Sequence, residues 1–170
     1  FQESLGNLAA GMMIALNQPF KVGHVVEIGG ILGVVQEVNM MATTLHTPDN
    51  KKVVVPNKNV WGSAITNYTA LETRRVDLGI GISYGDDIVK AKDVIQKTLA
   101  GMDKVLAEPA TTVGVVEMAD SSVNLVVRPW CKTEDYWTVY FGASQAVKEA
   151  LDASAEAFRK LLIKDGKLAK

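Results

Sequence analysis

Apolar residues recur at helical spacing from the start of the chain: Leu5, Leu8, Met12, Ala15 and Leu16 follow one another mostly at intervals of three and four. The spacing predicts a helix over Phe1–Leu16, with Pro19 at or just after its end, because proline cannot continue a helix. Gly6, Ala9, Ala10 and Gly11 run through the same segment. Such small residues suit a helix that packs closely in or near a membrane; an ordinary amphipathic core helix fits the pattern equally well. Gly11 inside a helix costs about 1 kcal/mol relative to alanine and reads as a bend point. Gly11→Ala is therefore expected to stiffen the helix and leave the fold intact.

From His24 the period shortens to two. His24–Ile28, Leu32–Val38, Met40–Thr47, Lys51–Val55 and Ala64–Tyr68 read as strands. Gly29-Gly30 and Pro48-Asp49-Asn50 read as turns, and Asn57–Trp61 as one helical turn. Short strands separated by such turns suggest a small β-barrel of the SH3 or Sm type. Beyond the polar stretch Glu72–Arg75, read as a domain boundary, the rhythm changes. Arg75–Tyr84 alternates as a strand, and Asp86 or Asp87 can cap a helix with Ile88, Ala91, Val94, Ile95 and Leu99 inward. Thr111–Met118 and Ser122–Trp130 read as adjacent strands, followed by a long helix from Glu134 to at least Ala153. The order β-α-β-β-α is that of a ferredoxin-like split βαβ arrangement. The fold class is thus α+β: an N-terminal helix, a small Sm/SH3-like β-barrel domain, then a ferredoxin-like domain. The expected divisions are 1–20, 21–70, 71–157, and a helical tail over 158–170.

Composition narrows the chemistry. The chain has 170 residues and a net charge of -1, which argues against a generally basic nucleic-acid-binding surface. The single cysteine, Cys131, excludes an intrachain disulfide and multi-cysteine metal sites. Two histidines, His24 and His46, make a His-rich metal site unexpected; both read as surface residues. Ser4–Phe20 holds no charged residue over 17 positions, but Asn7, Asn17 and Gln18 interrupt it, and no basic segment precedes it, so it is not a secretory signal. A chain opening on Phe1 in mid-pattern reads as part of something longer.

No catalytic constellation, cofactor motif or metal set stands out, and no enzyme is expected. Gly79-Ile80-Gly81-Ile82-Ser83-Tyr84-Gly85 leads from a strand into a helix, but its spacing misses the dinucleotide fingerprint. Asp86-Asp87 would also repel a phosphate there, and suits helix capping instead. The glycines read as thinning a strand packed closely on a helix or another subunit. Cys131 reads as a half-buried structural thiol. Lys51, Lys52 and Lys58 flank one hairpin; they could meet RNA phosphates in an Sm-like module, or simply guard an edge strand.

Five strings taken together resemble the small-conductance mechanosensitive (MscS-type) channels. Phe1–Gly11 resembles the end of that family's pore-lining helix, and Gln18–Gly23 its junction into the β-domain. Val54-Val55-Pro56-Asn57 and Ile65-Thr66-Asn67-Tyr68 resemble its Pro-Asn signature, and Gly81–Ile88 the start of its α+β domain. The resemblance implies that Asn7 and Gly11 belong to gating and inactivation, with Gly11 a hinge. It implies that Pro19, Pro56, Asn57 and Asn67 are signature positions. It further implies a tension-gated, weakly selective channel that releases ions and small osmolytes on hypo-osmotic shock. Its partners would be six further copies in a heptamer and the inner membrane of a prokaryote, with this portion facing the cytoplasm. No cofactor and no nucleic acid are expected; the alternative is an oligomeric Sm-like RNA-binding module. Relatives continue after the long helix into a short proline-bearing strand of a base barrel, whereas Ala153–Lys170 keeps helical spacing through Phe158, Leu161 and Leu162.

Overall fold

The computed structural model describes the backbone of residues 1–164 and the side chains of residues 1–155. It is a mixed α+β structure of two compact units, the first Phe1–Glu72 and the second from Thr73 onward.

In the first unit, helix α1 spans Gln2–Asn17 and stops at Gln18, whose backbone turns left-handed (φ 45°, ψ 57°) and donates its N–H to Ile14 O. Five strands follow: β1 (Val25–Ile28), β2 (Ile31–Val38), β3 (Ala42–His46), β4 (Lys52–Pro56) and β5 (Ile65–Asn67), with the short helix α2 (Asn57–Trp61) between the last two. Sheet order is β4-β3-β2-β1-β5, antiparallel throughout. The last strand therefore pairs with the free edge of the first, as in a small barrel. Gly29 and Gly30, at φ +57° and +83°, make the β1–β2 turn, a backbone that residues with a Cβ rarely adopt. The core comprises Ile14, Phe20, Val26, Ile28, Val35, Leu45, Val55 and Val60.

Helix α1 meets this core by a narrow face. Ala10, Gly11 and Ile14 are buried, whereas Leu5, Met12 and Leu16 remain 61, 61 and 74% exposed. The apolar stripe legible in the sequence is thus not the face the unit buries. Small residues let the helix backbone itself approach, so the contact needs no large side chains.

The second unit begins with β6 (Thr73–Arg75) and continues β7 (Leu78–Ile82), α3 (Ile88–Ala100), β8 (Thr112–Met118), β9 (Val123–Arg128), β10 (Trp130–Lys132) and, after a single 3-10 turn, α4 (Tyr136–Lys164). Both β7 and β8 run antiparallel to the central β9, so they are parallel to one another and joined by α3: a split βαβ unit. The inward sheet residues, Leu78, Ile82, Val113, Val123, Leu125 and Val127, pack with Ala91, Ile95 and Leu99 of α3 and Val139, Ala143 and Val147 of α4.

Two expected strands are each broken. Arg75–Tyr84 divides around Val76-Asp77, where the Arg75 guanidinium clasps Asp77 (2.7 and 3.0 Å) and Val76 N–H donates to Pro129 O. Ser122–Trp130 divides at Pro129, which has no N–H for a ladder. The pieces β6 and β10 pair with each other in a separate two-stranded ribbon. The polar stretch Glu72–Arg75 accordingly contains a strand and is not merely a linker. The tail helix is observed as far as Lys164; residues 165–170 lie outside those described.

Candidate functional site

The residues that seat α1 on the β-sheet unit form one hydrogen-bonded cluster. Its centre is Asn57, the first residue of α2, fully buried beneath Gly11. The Asn57 side-chain amide donates to Asn39 O (2.8 Å) and its carbonyl oxygen accepts from the buried Thr43 hydroxyl (3.0 Å). Its backbone N–H donates to Met41 O (2.9 Å). Asn39 in turn accepts from Met41 N (3.0 Å) and Ala42 N (2.8 Å), which fixes the turn ahead of β3. The side-chain amide and backbone N–H of Asn57 are thereby tied to the β2–β3 connection and the start of β3, as a buried amide requires.

Gly11 lies directly on this turn. A Cβ at Gly11 would come within 2.5 Å of Met40 O and 2.7 Å of Asn57 Nδ2. The glycine is therefore a close-approach residue, and this contact works against the stiffening expected of alanine from helix preference alone. One turn earlier, Asn7 Oδ1 accepts from Lys58 N–H (2.9 Å), so a side chain of α1 caps the free N-terminus of α2. Gly6 permits the same approach: a Cβ there would stand 3.4 Å from Lys58 Cδ. Asn7→Ala should lower the stability of this unit by about 1 kcal/mol, as loss of a cap does elsewhere. A urea midpoint equal to wild type would show that the bond contributes nothing.

The second cluster is the elbow between α1 and β1. Asn67 donates from Nδ2 to Pro19 O (3.1 Å) and accepts at Oδ1 from Thr69 N–H (3.1 Å), so it ties the elbow to the end of β5. Of the six positions singled out in the sequence, Asn7, Gly11, Asn57 and the backbone of Pro56, the N-cap of α2, thus meet at the helix seat, while Pro19 and Asn67 meet at the elbow. Asn39 and Thr43, which complete the seat, carried no sequence signal beyond a turn-forming Asn and an alternating Thr. His24 was read as a surface residue; it is half-buried and hydrogen-bonded in the elbow.

Other candidates resolve into structure. Asp87 caps α3 by accepting from Lys90 N–H (3.1 Å), and Asp86 accepts from Ser83 N–H (2.8 Å), so the glycine-rich turn is closed by its own carboxylates. Gly79 faces open space and Gly81 lies 3.5 Å from Asn124 Oδ1, so neither packs tightly on a helix of this chain. Cys131 is fully buried, not half-buried, and burial, reinforced by the charge of Asp135, pushes its thiol up. Lys51 pairs with Asp49 at 2.7 Å, and the stem of Lys58 lies beside Gly6. The exposed Lys51–Asp49 pair contributes little to stability.

Comparison with known proteins follows the same division. Residues 3–70 match the mechanosensitive ion channel β-domain, and residues 76–157 the C-terminal domain of MscS mechanosensitive channels. A small-conductance mechanosensitive channel of Edwardsiella ictaluri is 42% identical over 153 residues, covering 90% of this chain and 54% of the relative. An uncharacterised MscS family protein of Synechocystis is 39% identical over 151 residues, covering 89% of this chain and 51% of its own. The crystal structure of Helicobacter pylori MscS in its closed state superposes with a TM-score of 0.84 at 32% identity, over 89% of this chain and 60% of that one. Arabidopsis thaliana MSL1 shares the fold at 21% identity, with a TM-score of 0.77, over 90% of this chain and 57% of that one. The chain spans about half the length of the curated relatives it matches. Among the described residues no helix is long and apolar enough to cross a membrane. By these matches the chain belongs to the MscS-type mechanosensitive ion channel family and carries that family's β-domain and C-terminal domain.

Proposed function

We propose that this chain forms the pore-end helix and cytoplasmic vestibule of a tension-gated, weakly selective channel that releases ions and small osmolytes on hypo-osmotic shock. One observation carries the reading. Helix α1 is clamped to the β-sheet unit by its small, polar face (Asn7, Gly11), while Leu5, Met12 and Leu16 stay uncovered. Such a helix is built to be held from one side by its own unit and covered on the other by membrane or neighbouring subunits. The assembly is a homoheptamer in the inner membrane of a prokaryote. Asn7 and Gly11 transmit the state of the pore to the β-sheet unit, because they are the α1 positions bonded to it or lying against its turn.

A chimera joining the membrane-spanning part of the Edwardsiella ictaluri relative to this chain tests the proposal. Expressed in bacteria lacking mechanosensitive channels, it should restore survival of a hypo-osmotic shock. Failure to protect, despite membrane insertion at parental levels, would contradict it. The RNA-binding alternative has less support, because Asp49 pairs with Lys51 and brings a negative charge into the three-lysine patch.

A further inference from the structure

The elbow that joins α1 to β1 contains an imidazole whose tautomer is matched to its neighbours. His24 Nδ1 lies 3.2 Å from Lys21 N, whose N–H points at it, and 2.9 Å from Asn67 Nδ2. A backbone N–H can only donate, so Nδ1 acts as an acceptor there. The orientation of the Asn67 amide is set independently. Its nitrogen faces Pro19 O, which can only accept, and its oxygen faces Thr69 N–H, which can only donate. The second group directed at Nδ1 is therefore also a donor. Two donors converge on one ring nitrogen, a geometry that fits the tautomer with its proton on Nε2.

We propose that His24 is a proton-sensitive pin that holds the Lys21–His24 turn of the α1–β1 elbow when neutral and loosens it when Nδ1 takes up a proton from water. A proton on Nδ1 would face the N–H of Lys21 and the amide of Asn67, so both hydrogen bonds to the ring are lost together. Other bonds hold the rest of the elbow: Gly23 N–H donates to Val35 O (2.8 Å), Val35 N–H to His24 O (2.9 Å) and Asn67 Nδ2 to Pro19 O (3.1 Å), and Phe20 is buried in the core, so the ring governs the turn at Lys21. The elbow begins at Gln18 in a left-handed conformation and ends at Gly23, at φ +91°. The return bond from His24 N–H to Lys21 O (3.1 Å) closes only its last turn.

The elements that meet at the elbow carry few charged or titratable side chains. The last turn of α1 carries no basic residue, the elbow carries Lys21, β1 carries Glu27, β2 carries Glu37, and Tyr68 follows β5. Glu27 already accepts from the Tyr68 hydroxyl (2.8 Å). Among the described residues no carboxylate reaches ion-pair distance of the His24 ring. Protonation would therefore loosen the Lys21–His24 turn while α1 stays seated by Asn7 and Gly11 and the elbow stays bonded to β2 and to Asn67. The consequence for a pore rests on the channel reading above, whereas the chemistry of the elbow does not.

Hydrogen–deuterium exchange on the chain itself tests the pin, read as the protection of the Lys21 amide, the N–H that donates to the ring, relative to β3 and β4, after correction for intrinsic exchange. In the wild type this ratio should fall about tenfold between pH 7.5 and pH 5.5, the scale expected for two lost hydrogen bonds. His24→Asn keeps an acceptor near the Nδ1 position but does not titrate, and its ratio should hold constant. His24→Phe removes the acceptor, and its ratio should be low at both pH values. A constant ratio in the wild type, or an equal fall in His24→Asn, would overturn the proposal. The comparison of wild type with His24→Asn decides the matter even if His24→Phe does not fold.

Discussion

Asn57→Ala is expected to destabilise the first unit by about 2–4 kcal/mol, a large effect for removal of one small polar side chain. Asn57 is fully buried and satisfies two groups of the β2–β3 connection, the Thr43 hydroxyl and Asn39 O. Alanine would leave a buried hydroxyl without its acceptor and a carbonyl without its donor. Each such orphan costs about 1–3 kcal/mol. A cavity beneath Gly11 adds to the loss. Asn57→Asp separates the two contributions. It keeps an acceptor for Thr43 but sets a buried carboxylate against Asn39 O, which its protonated form alone can satisfy. That variant should be the less stable of the two at neutral pH and recover as the pH falls, because the folded state favours the protonated acid. Urea titration at pH 7.5 and pH 5 checks both. A midpoint for Asn57→Ala within error of wild type would show that the amide is not what holds the turn.

Gly11→Ala is expected to cost about 1–3 kcal/mol, the scale of overpacking in a filled site. Alanine's helix preference would contribute roughly 0.5–1 kcal/mol in the opposite direction. The steric term wins because the atoms in the way cannot swing aside. Met40 O is backbone in a turn held by Asn39, and Asn57 Nδ2 is fixed by its own bond. The readout is local: amide protection across α1 should fall while that of α3 and α4 is unchanged. Raised protection of α1 would mean that the helix relaxes around the methyl group and that intrinsic propensity decides. In a channel carrying this segment the same substitution should alter inactivation, since it loosens the contact between the pore-end helix and its unit.

These two residues also show what the sequence made legible. The strand pattern, the turns and the change of rhythm near Glu72 gave the elements of both units in order, because alternation and turn residues report local backbone directly. The helix seat was only half visible. Leu5, Met12 and Leu16 formed the conspicuous stripe, yet Asn7, Ala10, Gly11 and Ile14 make the contact. A contact made by backbone approach leaves small and polar residues as its trace, and hydrophobic periodicity passes over these. Gly11 was read through intrinsic propensity; its role depends on Met40, twenty-nine positions further on and brought to it only by the fold. The division of Arg75–Tyr84 turned on the clasp of Asp77 by Arg75, which alternation does not record. The ring of His24 escaped notice because its partners come from the elbow backbone and from Asn67 on a distant strand.

The account rests on α1 being the end of a pore coupled to the β-sheet unit that seats it. The most direct test is a pressure ramp on excised membrane patches bearing the chimera of the Edwardsiella ictaluri membrane part with this chain. It should show stepwise currents that appear at a reproducible membrane tension and pass both cations and anions. Patches that carry the inserted chimera yet stay silent up to the lytic tension, while the parent channel conducts, would contradict it.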